Sequence, residues 1–308
     1  MGSRPSRERR TVPRLVLLSL FALAALPSCA TVPPGHPPAL AETIDDLVPH
    51  WRPFPSDDDD SLAYFSGNVQ SPRMDFYALR FSLFSETMRP VVSSGQMSNG
   101  HSPEAGALSV KVSGFAREAG LLAAINALPF DPSSDREGEP RANVGVVISD
   151  GRMLSTPRAR YDALVFFADG GAAIVSQAEI QGERLEQISN AVGGFYRLLS
   201  GGEPVARVLG LQARHPRSAA GISACGRYLY LLAIDGRRPG SQGATELETA
   251  LLLRALGAAE GINFDGGGST ALALRHPDGQ TRLANVPVHS GVPGRERAVA
   301  GLLGIAYR

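Results

Sequence analysis

Three consecutive glycines near the C-terminus, at positions 266–268, restrict the fold of this chain more than any other feature of its sequence. Glycine is costly inside a helix or a strand, so a run of three indicates a sharp turn or a close approach of the backbone to another group. Asp265 directly precedes the run, and Ser269 and Thr270 follow it. The pattern favours a loop that presents a carboxylate to a ligand. The alternative is a glycine-rich hairpin turn in which Asp265 only caps the backbone.

Upstream of this loop the chain alternates short apolar runs with turn residues, which predicts hairpins. The predicted hairpin turns are Asp150-Gly151, Asp169-Gly170-Gly171 and Cys225-Gly226. Further strands are predicted over residues 74–84, 121–125, 261–264, 271–274 and 299–306. Helical spacing is clearest over residues 246–256, which end at Gly257, and weaker over residues 109–118 and 185–192. Many hairpins and few helices predict an α+β fold with mixed, mostly antiparallel sheets and a few packed helices, in a single catalytic domain over residues 61–308.

The N-terminus predicts export and attachment to a membrane. Arginines precede an apolar run over residues 15–26, which is too short to span a bilayer. Cys29 follows directly and resembles the lipidated cysteine of a bacterial lipobox. We therefore expect a lipoprotein-type signal peptide over residues 1–28, a lipid on Cys29, and a proline-rich and acidic tether over residues 29–60 that ends in the run 57–60. The expected location is the bacterial cell envelope, at the outer membrane and facing the periplasm, and simple secretion is the alternative.

Charge and cysteine content exclude some classes of function. The chain carries 30 basic and 30 acidic residues, so no basic surface for a nucleic acid is predicted. Cys29 and Cys225 are its two cysteines, so a thiolate-rich metal site is excluded. If Cys29 carries a lipid, Cys225 has no partner for an intramolecular disulfide.

Charged side chains in the last third of the chain stand at the ends of apolar runs, where different strands can bring them together. Arginine suits phosphate because its planar fork makes paired, charge-assisted hydrogen bonds. Consecutive glycine amides can hold an anionic oxygen, and carboxylates suit an oxocarbenium-like centre. Together these residue types fit a sugar phosphate or a glycosyl phosphodiester.

The same segments resemble the phosphodiester glycosidase family. The resemblance rests on residues 217–222, 231–237, 248–258, 263–270, 285–287 and 296–297, which stand in the family's order and at its approximate spacing. Residues 123–130 and 190–194 resemble upstream elements of the family. The chain departs from the family pattern at residues 128–130, at residues 218–220 and at Thr249, all beside the charged positions.

The resemblance implies hydrolysis of a sugar-1-phosphodiester, or of a polysaccharide that contains one, to a free sugar and a phosphate monoester. It implies Asp265, Asp235 and Glu248 as catalytic carboxylates. The residues expected to bind substrate are Arg217, Arg237, Arg297, Asn126, Asn285, Gly266, Gly267, Gly268, Ser269 and Thr270. We expect no cofactor and leave a divalent metal at Asp265 open. A lipid-anchored glycan-binding or exopolysaccharide-assembly factor without turnover is the alternative function.

Each assignment has a plainer structural interpretation. Asp235-Gly236 is a common turn pair, Glu248 at a helix start favours the helix dipole, and Asn285 is placed to cap a turn before Pro287. Arg238 is expected to be solvated. The three histidines of the C-terminal third, His215, His276 and His289, are expected on the surface because they lie in polar, proline-marked segments.

Overall fold

The computed structural model describes residues 44, 47–54, 61–93, 107–132, 136–210 and 213–308, all within the compact unit Pro33–Arg308. The predicted signal peptide, Cys29 and the acidic run 57–60 lie outside the described residues. In chain order, the first strands are β1 (Arg52–Pro53), β2 (Leu62–Gln70), β3 (Arg73–Ser82), β4 (Met88–Ser93), β5 (Ala107–Leu108), β6 (Ala123–Asn126), β7 (Phe130–Asp131), β8 (Pro140–Asn143), β9 (Val147–Ser149), β10 (Arg152–Ser155), β11 (Asp162–Phe167) and β12 (Ala172–Ser176). The later strands are β13 (Ile188–Gly193), β14 (Tyr196–Ser200), β15 (Glu203–Pro204), β16 (Arg217–Ser223), β17 (Tyr228–Ile234), β18 (Ala258–Asn263), β19 (Leu272–Arg275), β20 (Thr281–Leu283), β21 (Val288–His289), β22 (Val292–Pro293) and β23 (Leu302–Tyr307).

Three main sheets are built from these strands. One has eight strands in the order β1-β2-β3-β17-β16-β18-β14-β15, and two have five, in the orders β10-β9-β13-β11-β12 and β20-β19-β6-β23-β4. Two small sheets, β21-β22 and β5-β8-β7, complete the described part. Each strand ladder between the described residues is antiparallel. The prediction of mostly antiparallel sheets with few helices is confirmed.

Strand β17 lies at the centre of the eight-stranded sheet and is buried on both faces. Leu229, Leu231 and Ala233 point into the core between the sheets, whereas the alternate residues Leu232 and Ile234 pack beneath a helix on the other face. A strand buried on both faces reads as a continuous apolar run instead of an alternation. The turn before it, at Cys225-Gly226, closes the predicted hairpin with β16.

The described helices are α1 (Val112–Glu118), α2 (Glu183–Glu186) and α3 (Glu246–Leu256). Helix α3 has the predicted bounds. It begins with a capping box, in which the Thr245 hydroxyl accepts from the Glu248 amide and the Glu248 carboxylate accepts from the Thr245 amide. It ends at Gly257, whose φ of 111° closes the helix in a left-handed conformation.

The helix predicted over residues 185–192 is wrong. Helix α2 stops at Glu186, and β13 follows from Ile188 in the middle of a five-stranded sheet. Strand β13 pairs with both β11 and β9, and these long-range ladders override a weak local helical pattern.

The chain enters the eight-stranded sheet before the predicted domain start at residue 61. Strand β1 pairs with β2, and Phe54 and Ile44 are buried. Part of the segment predicted as a tether is therefore packed against the domain.

Candidate active site

The glycine loop connects two different sheets. Strand β18 ends at Asn263 in the eight-stranded sheet, and β19 begins at Leu272 in a five-stranded sheet. Between them, residues 267–269 form a single 3-10 turn. The alternative interpretation of a hairpin turn is therefore wrong, because the loop crosses from one sheet to another.

Hydrogen bonds to backbone carbonyls at the ends of neighbouring strands hold the start of the loop. The Asp265 amide donates to the Ala127 carbonyl at 2.8 Å, and the Gly267 amide donates to the Pro216 carbonyl at 2.8 Å. The Gly266 amide donates to the Asp265 carboxylate. Two of the three glycine amides that the sequence offered to an anion are thus used inside the fold.

Two glycines allow arginines to lie directly on the loop. A Cβ atom on Gly268 would lie 2.7 Å from Arg297 Nη2 and 2.9 Å from His289 Nδ1. Gly267 has a φ of +61°, and a Cβ atom there would lie 3.0 Å from Arg237 Nη2. Arg237 itself has a φ of 58°, which is uncommon for a residue with a side chain. The glycine run therefore brings two guanidinium groups to the loop that starts with Asp265.

The Asp265 carboxylate is partly buried, and this burial raises its pKa from 3.8 to about 6. Its hydrogen bond with Ser269, the charge of Arg297 and the Gly266 amide oppose that rise. Arg297 Nη1 donates to Ser269 Oγ at 3.3 Å. Burial lowers the pKa of Arg297, an effect that Asp265 opposes and the nearby charge of Arg237 adds to. The pKa of about 6 lets this carboxylate exchange a proton near neutral pH.

The Asp235 carboxylate forms its hydrogen bonds with other residues, which already occupy both of its oxygens. It is 1% exposed and accepts from Asn285 Nδ2 at 3.1 Å, from the Val286 amide at 3.0 Å and from Arg238 Nη2 at 2.8 Å. Burial raises the pKa of Asp235, and these donors oppose the rise. The expectation of a solvated Arg238 is wrong, since Arg238 bridges Asp235 and Asp75.

Asn126 and Asn285 are buried and hold the backbone at either side of the loop. Asn126 Nδ2 donates to the Asp265 carbonyl, and its Oδ1 accepts from Ser218 Oγ at 2.7 Å and from the Ala271 amide at 3.1 Å. Asn285 Oδ1 accepts from the Leu272 amide at 2.8 Å, and its Nδ2 also donates to the Thr270 carbonyl at 3.2 Å. Their exposed fractions are 0% and 4%. The structure gives both amides protein partners, so they position the loop.

Glu248 and Arg217 also have structural partners. Glu248 is fully buried, completes the capping box of α3 and pairs with Arg214. Arg217 Nε donates to the Ala244 carbonyl at 3.0 Å, Nη2 to the Ala213 carbonyl at 3.0 Å and Nη1 to Glu246 at 3.4 Å. Burial lowers the pKa of Arg217, and Glu246 opposes this.

The structure adds a residue that the sequence did not indicate. His289, expected on the surface, is 7% exposed and accepts at Nδ1 from Arg297 Nε at 3.1 Å. The local sequence is polar and glycine-rich, so it carried no signal of burial. His215 is exposed as expected, and its pKa is lowered by partial burial and by Arg217 and Arg237.

Ser269 is buried with its hydroxyl between Asp265 and Arg297, whereas the buried Thr270 Oγ1 has no hydrogen-bond partner among the described residues. No group of three or more His, Cys, Asp or Glu side chains in the described part of the chain is arranged to hold a metal ion. Of the predicted residues, the structure thus brings together Asp265, Ser269, Arg297, Arg237 and the glycines. Asp235, Glu248, Arg217 and the two asparagines make hydrogen bonds or ion pairs with neighbouring backbone and side chains.

Solved structures with the same fold include two proteins of low sequence identity. The catalytic domain of zebrafish N-acetylglucosamine-1-phosphodiester alpha-N-acetylglucosaminidase, auto-inhibited by its pro-peptide, matches with a TM-score of 0.61 and 19% identity, over 92% of this chain and 97% of that one. A hypothetical protein from Synechocystis matches with a TM-score of 0.59 and 18% identity, over 81% of this chain, and this chain spans 62% of its length. At these identities the likeness is one of fold.

No curated protein matched the chain. The model of the phosphodiester glycosidase family matches residues 119–306, which is more than half of the chain and includes the whole glycine loop. The chain is thus a glycosidase-type hydrolase by family, and it belongs to the phosphodiester glycosidases.

Proposed function

We propose that this protein hydrolyses a sugar-1-phosphodiester bond in a cell-envelope or extracellular glycan or glycoconjugate and releases a free sugar and a phosphate monoester. The observation that supports this best is the grouping of Asp265 with Arg297 and Arg237 on the glycine loop. The guanidinium groups of Arg297 and Arg237 are suited to bind the phosphate of the leaving group. The carboxylate of Asp265, which lies between β18 and the loop, is suited to act at the anomeric carbon.

A single available carboxylate fits this chemistry better than it fits an ordinary glycosidase. Most glycosidases need one carboxyl group to protonate a poor leaving group and a second to act at the anomeric carbon. A phosphate monoester leaves readily without a proton, so the general acid is less important. Asp235 and Glu248 are tied into the framework, which leaves Asp265 for the role of nucleophile or of the base that activates water.

The first experiment incubates the protein with UDP-N-acetylglucosamine in ¹⁸O-labelled water. We expect N-acetylglucosamine to be released and UDP to carry no ¹⁸O, because the bond between the sugar carbon and oxygen is cleaved. Asp265→Asn should lose release by at least about a hundredfold. Asp278→Asn is the matched control, since Asp278 lies in an exposed pair with Arg282.

Two results would redirect the proposal. ¹⁸O in the UDP phosphate, together with loss of activity on adding a chelator, would indicate a metal-dependent phosphodiesterase. No release from several sugar phosphodiesters, with measurable glycan binding, would favour the glycan-binding or exopolysaccharide-assembly factor. That alternative draws on the structural bonding of Asp235, Glu248 and Arg217.

We also propose that a lipid on Cys29 anchors the protein in the cell envelope, at the outer membrane and facing the periplasm. Among the described residues, no helix is long and apolar enough to cross a membrane. Metabolic labelling with an alkyne fatty acid should label the wild type and leave Cys29→Ser unlabelled and released from the membrane fraction. Equal release of both proteins would favour simple secretion.

A further inference from the structure

His289 lies against the glycine loop at the end of β21. It is 7% exposed, and a Cβ atom on Gly268 would lie only 2.9 Å from its Nδ1. The ring is therefore packed on the backbone of the loop that holds Asp265. Only glycine at position 268 leaves room for this contact.

The hydrogen bond to Arg297 defines the protonation state of the ring. Arg297 Nε is a donor and can only donate, so Nδ1 of His289 must be an unprotonated acceptor at 3.1 Å. The proton of the neutral ring is then on Nε2, which lies 3.3 Å from Ser290 Oγ.

Arg297 is held at both ends of its guanidinium group. Nε donates to His289, and Nη1 donates to Ser269 Oγ, which in turn hydrogen-bonds the Asp265 carboxylate. Two anchors at different nitrogens fix the plane of the group. A fixed plane is what a guanidinium group needs to make paired hydrogen bonds to a phosphate.

Among the described residues, the charges closest to His289 are mostly positive. Arg297 is in contact, Arg237 adds a second positive charge nearby, and Asp265 is reached through Ser269. Arg295 contacts His289 through its backbone, with its carbonyl accepting from the His289 amide. The Glu296 carboxylate is turned towards Ser113 at the start of α1. A proton on Nδ1 would replace the acceptor with a donor and place a cation directly against Arg297.

We infer that His289 is a positioning residue, whose neutral ring orients Arg297 for an anionic ligand and whose protonation releases that arginine. This rests on the proposed function insofar as the anion is the phosphate of a sugar phosphodiester or of its product. The geometry itself concerns only the binding of an anion at Arg297.

The test measures the dissociation constant of UDP, the expected product, by calorimetry at pH 7.5 and pH 5.5. The proteins are the wild type, His289→Ala, His289→Asn and the control His276→Asn, which changes an exposed hairpin histidine. Asparagine places an oxygen acceptor near the position of Nδ1 and does not titrate. At pH 7.5 we expect His289→Ala to bind UDP about tenfold more weakly, and His289→Asn to bind within about threefold of the wild type.

The affinity for UDP should change with pH differently in the wild type and in His289→Asn. On acidification, protonation of Asp265 removes a negative charge beside the anion and favours binding in each protein. Protonation of His289 frees Arg297 in the wild type and in His276→Asn, which both keep this histidine, so the affinities of these two proteins should fall relative to that of His289→Asn. Titration of UDP itself affects all proteins equally and cancels in this comparison.

A structural role alone would not separate these variants by pH. The inference would be overturned if wild type and His289→Ala bound UDP equally, or if His289→Ala and His289→Asn lost the same affinity. It would also be overturned if the affinities of wild type and His289→Asn changed with pH in parallel. So would an absence of UDP binding by the wild type. ¹⁵N NMR provides a readout that does not depend on turnover, because His289 should be the Nε2–H form at pH 7.5. Absence of sugar release with the expected UDP affinities would reject the proposed function and leave this inference in place.

Discussion

At the scale of single residues, burial in the fold disfavours the charged form of Asp265. Burial raises its pKa, because the carboxylate loses contact with water. The Ser269 hydroxyl, the charge of Arg297 and the Gly266 amide stabilise the carboxylate and partly offset this rise. A reactive carboxylate needs this balance, because full solvation would make it inert and full burial would keep it protonated.

This balance predicts a dependence of stability on pH. The folded pKa of about 6 lies above the ordinary 3.8, so the protonated form favours folding. The stabilisation is complete below about pH 4 and is lost as pH rises through about 6, by at most roughly 3 kcal/mol. Asp265→Asn should remove this loss and be more stable than wild type at pH 7.5. The free energies of unfolding of wild type and Asp265→Asn would be measured by denaturant titration from pH 4 to 7.5. The same dependence on pH in both proteins would contradict the prediction.

A methyl group at Gly268 should disturb the site selectively. In Gly268→Ala the new Cβ would lie 2.7 Å from Arg297 Nη2, so the arginine or the loop must move. We expect kcat/KM for sugar release to fall by at least about tenfold. Gly210→Ala is the control, because a Cβ there meets nothing within 4 Å. Equal activities in the two variants would show that the contact with Arg297 is unimportant.

At the scale of elements, helix α3 shows that a motif residue can have a structural use within the fold. Glu248 is fully buried, and its oxygens are used by the Thr245 amide and by Arg214. Helix α3 is packed against β18, the strand that leads into the glycine loop, so the motif contributes to the support of the loop. Sequence spacing cannot distinguish these two roles, because both require a glutamate at the same place.

Removing the cap should lower stability and spare the chemistry. Thr245→Ala should reduce the free energy of unfolding by about 1 to 2 kcal/mol, because a buried amide at the helix start loses its acceptor. Sugar release per folded molecule should change by less than about threefold. Glu183→Ala, at the exposed start of α2, should leave both quantities unchanged. Loss of activity in a Thr245→Ala protein that remains fully folded would indicate that α3 contributes to the active site.

At the scale of the whole molecule, the site depends on a junction between sheets. Asp235 follows β17 in the eight-stranded sheet, and Asn285 connects it to Leu272 and Thr270 at the start of β19 in a five-stranded sheet. The glycine loop spans the same gap. Its shape is therefore determined by how the two sheets are joined.

Breaking this junction should affect stability and activity together. Asn285→Ala leaves the Leu272 amide and the Thr270 carbonyl without their side-chain partner in a buried position, and we expect a loss of about 2 to 3 kcal/mol. Because the loop is attached to the same atoms, kcat for sugar release should also fall. Asn68→Ala, on an exposed strand position, is the matched control. A variant that is destabilised with an unchanged kcat would show that the loop holds its shape without Asn285.

The sequence alone determined the local elements whose signals are short-range. The hairpins at Asp150-Gly151 and Cys225-Gly226, the bounds of α3 and the interruption of regular strand after Asp265 follow from turn chemistry, capping and glycine geometry. The same local reasoning assigned a helix to β13, because pairing with two distant strands leaves no trace in nearby residues.

The tertiary structure decided which charged residues share a site. Asp235, Glu248 and Arg217 carry the right chemistry in the right order, but their partners come from distant segments and use their hydrogen-bonding capacity. His289 and Arg297 were brought to Gly268 by the return of the C-terminal segment across the loop. A residue's type limits the chemistry available to it, whereas burial and the hydrogen bonds it has already made determine whether that chemistry remains free. Those two quantities exist only once distant parts of the chain are packed together.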